Sequence, residues 1–171
     1  MEKGNEQIQD DRLRAQIAKA QATALTKEEL EKVLYEEAEL TNLFLRGMIN
    51  KEELKNKLKA LNRHAGVVKT EDPKEFRRFL ELICPYEEVV QKFIDDEMPH
   101  YDEAIKQGLK PILRLQFYKM EDGTWGLRPQ TEVTYPDKLS DESFREAHRK
   151  TLGAPEEENL SRLDRKGLGL I

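Results

Sequence analysis

The stretch after Pro111 changes from helical to alternating spacing, and this change limits the fold more than any other feature of the sequence. Its apolar residues take every second position, at Leu113, Leu115 and Phe117, which is typical of a strand with one buried face. The dipeptide Asp122-Gly123 then favours a tight hairpin turn. Because two strands alone are marginally stable in water, the sequence predicts a small antiparallel sheet at 112–135 that packs on helices.

The returning strand is predicted in two pieces. Residues 124–128 place Trp125 and Leu127 on one side. Pro129 is expected to interrupt the strand because proline lacks an amide donor, and residues 131–135 then form a third short strand. We expect Trp125 to pack the hairpin against an aromatic residue of the preceding helices, which offer Phe76, Phe79 and Phe93.

Residues 70–135 are predicted to form the core domain, because their helices hold the densest apolar content of the chain. Asp72 followed by Pro73 and Glu75 is a strong helix start, with Asp72 as the N-cap. Pro85 is expected to break this helix, and Pro99 the next one.

Residues 26–66 predict a pair of helices. Thr26 and Glu29 form a capping box for the first helix, and Asn50 with Glu53 starts the second. Gly47 is expected to end the first helix, and Gly66 to cap the second. The short connection predicts an antiparallel hairpin or a helix-turn-helix.

Charge divides this pair of helices. Residues 26–45 hold six acids and two bases, whereas residues 51–70 hold six bases and two acids. Four bases recur at four-residue spacing and form one predicted stripe: Lys51, Lys55, Lys59 and Arg63. The stripe is open to two interpretations, contact with nucleic-acid phosphates or pairing with Glu28, Glu31 or Glu39 of the first helix.

The two ends of the chain are predicted to be helical and mostly polar. Residues 1–25 are rich in alanine, which favours a helical arm that is either flexible or docked on a partner or a second copy. Residues 136–171 form a polar helical extension in which Ser140 caps a short helix to Leu152, with Phe144 facing inward. The apolar residues of 167–171 suit either a frayed end or a docking peptide.

Composition narrows the classes of function. Charged residues make up 37% of the chain, and the net charge is −5, so the whole molecule does not attract nucleic acid or anionic membrane. No apolar run is long enough for a membrane span. The single cysteine, Cys84, excludes an internal disulfide and is typical of a reducing cytoplasm.

No catalytic or cofactor motif is apparent. The histidines His64, His100 and His148 are far apart, and the glycines make no phosphate-binding loop. The nearest approach to a metal site is the acidic run at 95–103, where Asp96, His100 and Glu103 would share a face of an unbroken helix. Pro99 is expected to spoil that geometry, so no metal, cofactor or catalytic residue is predicted.

Together these features predict an α+β fold, mostly α, in which a helical hairpin and further helices pack on a small antiparallel sheet. The predicted function is a non-catalytic protein-interaction module, such as a regulator, adaptor, inhibitor or assembly factor of bacterial or viral type, whose partner is another protein. Homo-oligomerisation through the terminal arms stays open. The alternative is a nucleic-acid-binding protein that uses residues 27–65 as a helix-turn-helix, with the basic stripe on phosphates.

Overall fold

The computed structural model describes residues 2–134 and 139–151, which form six helices and four strands. In chain order these are α1 (Glu2–Thr23), β1 (Leu25–Thr26), α2 (Lys27–Leu45), α3 (Lys51–Lys59), β2 (Val67–Thr70), α4 (Pro73–Ile83), α5 (Glu87–Lys106), β3 (Lys110–Lys119), β4 (Trp125–Thr134) and α6 (Asp141–Thr151). The predicted α+β class with a helical majority is confirmed. The predicted tail at 167–171 lies outside the described residues.

The sheet is built around β3. The predicted hairpin is present, and β4 pairs antiparallel with β3 along its whole length, from Lys110 opposite Thr134 to Lys119 opposite Trp125. On the other side of β3, β2 pairs antiparallel and β1 pairs parallel. The sheet is therefore mixed. Its two short strands were not predicted, because residues 67–71 read as a link and Leu25 and Thr26 read as the edges of helices.

Two prolines do not break their elements, contrary to prediction. Pro129 lies inside β4, opposite Leu115. Within the described residues β4 pairs only with β3, and an edge strand tolerates a residue that cannot donate. Pro99 lies inside the continuous helix α5. Buried residues on both sides of it, including Phe93 and Ala104, anchor both halves of α5 in the protein interior.

The main core lies on the sheet face that carries Leu113, Leu115 and Phe117, here called the core face. Helices α4 and α5 cover it, and α1 joins them through Leu13 and Ile17. The N-terminal segment is thus docked within its own chain. Trp125 is partly buried at this core, and its ring contact is edge-to-face with Phe117, at 6.0 Å between centroids. The expected partners Phe76, Phe79 and Phe93 belong to the same cluster.

The opposite face of the sheet is called the polar face. On β3 it carries Arg114 and Gln116, with Tyr118 at the end of the row. Helix α2 covers Tyr118 with Leu30 and Leu34. The other two side chains are buried as well, because the segment 60–66 lies over them and accepts their hydrogen bonds.

The local helix signals are confirmed at the N-termini and partly wrong at the C-termini. Thr26 and Asn50 each form the predicted capping box, and Asp72 caps α4 through the Lys74 amide. However, α3 ends at Lys59, so Gly66 is not its cap. Gly66 instead joins two elements, since its amide donates to Thr23 Oγ1 and its carbonyl accepts from the Phe117 amide.

Among the described helices, none combines the length and the apolar character that crossing a bilayer requires.

Candidate interaction surface on the helical hairpin

Helices α2 and α3 form the predicted pair, here called the helical hairpin. The turn between them is fixed by Gly47, which has φ of +79°. Its amide donates to the Phe44 carbonyl and the Met48 amide donates to the Leu43 carbonyl, which is the Schellman arrangement that ends a helix. The turn brings Ile49 and the α3 residue Leu54 against the end of α2, in a small apolar cluster separate from the main core.

Helix α6 packs on this cluster. Its one aromatic side chain, Phe144, meets Phe44 edge-to-face at 5.4 Å between ring centroids. Leu40, Leu43 and Leu58 are partly buried around the same cluster. Because Phe44 itself is fully buried, α6 rests on the interior of the hairpin. The predicted cap is also present, as Ser140 Oγ accepts from the Ser143 amide.

Arg145 and Arg149 fasten α6 to the C-terminal end of α2. Arg145 donates from Nε to the Phe44 carbonyl at 2.6 Å and from a terminal nitrogen to the Ile49 carbonyl at 3.1 Å. Arg149 donates to the Leu45 carbonyl at 2.6 Å. The last carbonyls of a helix lack partners within it and carry partial negative charge. Two guanidinium groups therefore satisfy both the hydrogen-bonding and the electrostatic needs of this helix end.

The Arg145 guanidinium also lies over the ring of Phe44, 4.6 Å from its centroid. Its side chain is only 12% exposed. A cation placed on an aromatic face gains further stabilisation when it is shielded from water. Arg145 thus bonds to two carbonyls of the hairpin and lies over one ring, and it also faces Glu142 of α6 at 3.4 Å.

The predicted basic stripe is only partly a row on one helix, because α3 contains Lys51, Lys55 and Lys59 and ends before Arg63. Lys51 donates to the Leu139 carbonyl at 3.1 Å, at the start of the α6 segment, and lies 6.0 Å from the Phe144 ring centroid. Lys55 is half-buried and Lys59 is exposed at the end of α3. Arg63 lies beyond the helix, so the four-residue spacing does not align it with the others. Its side chain faces Glu37 at 3.9 Å, not the expected Glu28, Glu31 or Glu39.

The acidic run at 95–103 lies on the unbroken α5, so Asp96, His100 and Glu103 share a helix face after all. Even so, no three His, Cys, Asp or Glu side chains of the described ranges come together as a metal site. Glu97 of this run is buried and accepts a hydrogen bond from Thr131 of β4 at 3.1 Å. Cys84 is buried beside the end of α4.

Sequence reasoning missed Arg145 and Arg149. Arg46 is the cation that directly follows α2 in the sequence, but it is exposed. The available signal was the spacing in α6, where Arg145 and Arg149 are four residues apart and so lie on one side of a helix. Only the fold, however, shows that this side meets the end of α2.

In this arrangement the helical hairpin holds α6 of its own chain through two kinds of contact. The aromatic ring of Phe144 packs on an apolar cluster, and two arginine side chains donate to main-chain carbonyls. Aromatic residues and arginine are the residue types that contribute most of the binding energy at protein interfaces. No family model, curated protein or solved structure was found to match this chain.

Proposed function

We propose that the protein is a non-catalytic protein-interaction module and that its helical hairpin binds an amphipathic helix of a partner protein. The observation that carries this proposal is the seating of α6, in which one aromatic ring and two arginines fix a polar helix on the hairpin. A cytoplasmic location is part of the proposal and rests on the single cysteine of the chain.

The surface that α6 occupies, formed by the carbonyls of Phe44, Leu45 and Ile49 and by the apolar cluster around Phe44, is here called the α6 seat. It is suited to binding helices because much of it is main chain. The carbonyls of Phe44, Leu45 and Ile49 accept from arginine whatever side chains surround them. The apolar cluster supplies the second requirement, a place for one large side chain. Recognition of a helix in an apolar groove relies on such a place for an anchoring side chain. The partner helix therefore carries an aromatic residue followed directly by arginine, with a second arginine four residues later.

In the single chain, α6 occupies this seat and competes with the partner. A tethered segment has a high effective concentration, so a modest interaction keeps it in place. A partner helix must bind more tightly than α6 or act when α6 is released. Partner binding is then regulated, because α6 prevents weakly binding helices from occupying the helical hairpin.

The experiment uses the full chain carrying Phe144→Ala and a labelled peptide with the sequence of residues 139–151. Removing the anchor releases the seat, so we expect the peptide to bind this variant chain and to bind the wild-type chain much more weakly. A peptide with the same Phe144→Ala change is the matched control. Loss of an aromatic anchor costs at least about tenfold in affinity.

The assay then extends to partners. A protein captured from the native host supports the proposal when the Phe144→Ala chain recovers more of it than wild type and when the peptide displaces it. The proposal is overturned if the variant chain binds both peptides equally or neither. It is also overturned if wild type is a dimer that Phe144→Ala makes monomeric, because α6 would then serve self-association.

Nucleic-acid binding through residues 27–65 stays the alternative. It is favoured by Asn56, Lys57 and Lys59, which are exposed on α3, and weakened by the engagement of Lys51 and Arg63 within the chain. Duplex binding at low salt that falls steeply as salt rises would support it, with Lys57→Gln and Lys59→Gln reducing that binding.

A further inference from the structure

The polar face of the sheet holds an ordered array of charged and amide side chains. Lys69, Arg114 and Gln130 lie side by side across β2, β3 and β4, and Gln116 pairs with Arg128 in the next row. Alternation along each strand directs these side chains away from the main core.

The centre of this array is buried. Arg114 is 2% exposed, donates to Glu132 at 2.9 Å and donates to the Arg63 carbonyl at 2.7 Å. Gln116 is 1% exposed and donates to the carbonyls of Arg63 and Ala65. The segment 60–66 is therefore fixed over the polar face by hydrogen bonds from the sheet. These hydrogen bonds also fix the main chain of Arg63, because its carbonyl accepts from both Arg114 and Gln116.

Among the described residues, positive charge exceeds negative charge at the centre of this array. Three cations, Arg63, Lys69 and Arg114, face two carboxylates, Glu37 and Glu132. Glu132 is shared, because Lys69 also approaches it, at 3.3 Å. A local excess of cations stands out in a chain whose net charge is −5, and in a shielded place such an excess attracts an anion.

Two donors of the array have no acceptor in the described part of the chain. They are the buried Nε groups of Arg63 and Arg114. Buried donors are nearly always paired, and guanidinium groups match phosphate oxygens in geometry. We propose that the polar face, between segment 60–66 and strands β2–β4, binds a phosphate group. Arg63, Lys69 and Arg114 are the proposed ligands. This site is separate from the α6 seat.

His64 offers a built-in probe of the site. Desolvation lowers its pKa, and the positive charges of Lys69, Arg114 and Arg63 lower it further, while Glu132 acts in the opposite direction. A bound dianion would oppose those positive charges and raise the pKa of His64. His100 on α5 and His148 on α6 serve as internal references in the same sample.

The test titrates the full chain with inorganic phosphate at constant ionic strength, with chloride as the reference anion. We expect a saturable rise in Tm, together with a shift of the His64 imidazole resonances that His100 and His148 do not share. Lys69→Gln, at a half-exposed position, is expected to fold normally and to weaken phosphate binding about tenfold, because a charge-assisted contact is lost.

Lys74→Gln, at an exposed position of α4, is the matched control and should leave binding unchanged. A nucleoside monophosphate distinguishes the source of the phosphate. Equal affinity assigns the site to phosphate alone, whereas a clearly lower Kd assigns it to the phosphate of a larger molecule. The proposal is overturned if neither ligand acts beyond chloride, or if Lys69→Gln and Arg63→Gln both bind as wild type does.

Discussion

The ring of Tyr118 lies directly on the backbone of Gly126, its cross-strand neighbour. A Cβ atom on residue 126 would stand 2.1 Å from two ring carbons of Tyr118. The ring has no room to move aside, because it is fully buried against Leu30 and Leu34 of α2. This glycine is therefore what lets α2 close over the end of the sheet.

Gly126→Ala is expected to lower the free energy of unfolding by about 1–3 kcal/mol, the usual cost of forcing an extra carbon into a packed site. Urea denaturation measures it. In a Tyr118→Leu background the same change should cost clearly less, because the ring that it strikes is gone. An equal cost in both backgrounds would contradict the contact.

Gly66→Ala is expected to destabilise the protein more than Gly123→Ala. Both residues have positive φ, at +75° and +84°, so both alanines carry backbone strain of roughly 1–2 kcal/mol. Only at Gly66 does the new Cβ meet backbone, at 2.6 Å from the Phe117 carbonyl oxygen. Thermal unfolding of the two variants compares them directly. Similar losses of stability in the two variants would mean that the backbone near Phe117 shifts to accommodate the new Cβ atom.

Asp10→Asn is expected to lower stability in a pH-dependent way. The hydrogen bond from Arg78 of α4 lowers the pKa of Asp10 below its ordinary value of 3.8. A carboxyl with a lowered folded-state pKa stabilises the fold above its unfolded pKa, and this stability is lost as the pH falls through the folded pKa. The difference between wild type and Asp10→Asn should thus be constant above about pH 5 and shrink below about pH 4.

Asp11→Asn is the matched control for that experiment. Its carboxylate contacts Gln7 and Arg14 within α1 itself, so the change leaves the junction between α1 and α4 intact. Denaturation series from pH 3 to pH 7 compare the three chains. If both variants follow the same pH profile, the contact with Arg78 does not govern the stability of α1.

Arg145→Lys is expected to loosen α6 and leave the sheet intact. Lysine cannot span the Phe44 and Ile49 carbonyls as the guanidinium fork does. Losing about 1–2 kcal/mol of local stability should speed amide exchange in α6 by about 5- to 30-fold. Hydrogen exchange measured by mass spectrometry would show it. Arg46→Lys, at an exposed position, is the control. Unchanged α6 protection in Arg145→Lys would mean that Phe144 and Arg149 hold α6 without the Arg145 fork.

Signals that depend on a few consecutive residues were read correctly from the sequence. The capping boxes of Thr26 and Asn50 and the hairpin turn at Asp122-Gly123 need only their neighbours. Strands β1 and β2 were missed because they have two and four residues. Such segments become strands only because β3 supplies their partners, and no local pattern reports that.

The tendency of proline to break helices and strands was overestimated, because the prediction considered only neighbouring residues. At Pro99 the packing of buried residues on both sides outweighs the local penalty, and at Pro129 the edge position of β4 tolerates a residue that cannot donate. The α6 seat was also out of reach, since the hydrogen bond from Arg145 to Phe44 joins residues 101 positions apart. The spacing of the basic stripe was regular in sequence, yet α3 ends before Arg63 and so removes it from the row.

The placement of α1 and β1 also sets an order of events during synthesis. Leu13 and Ile17 bury themselves against a core completed by β3, and Leu25 pairs with Tyr118, about ninety residues later. A ribosome therefore finishes α1 long before its partners exist. The segment that becomes α1 and β1 therefore stays undocked until strand β3 has been synthesised. The strand that is synthesised first is then the last to join the sheet.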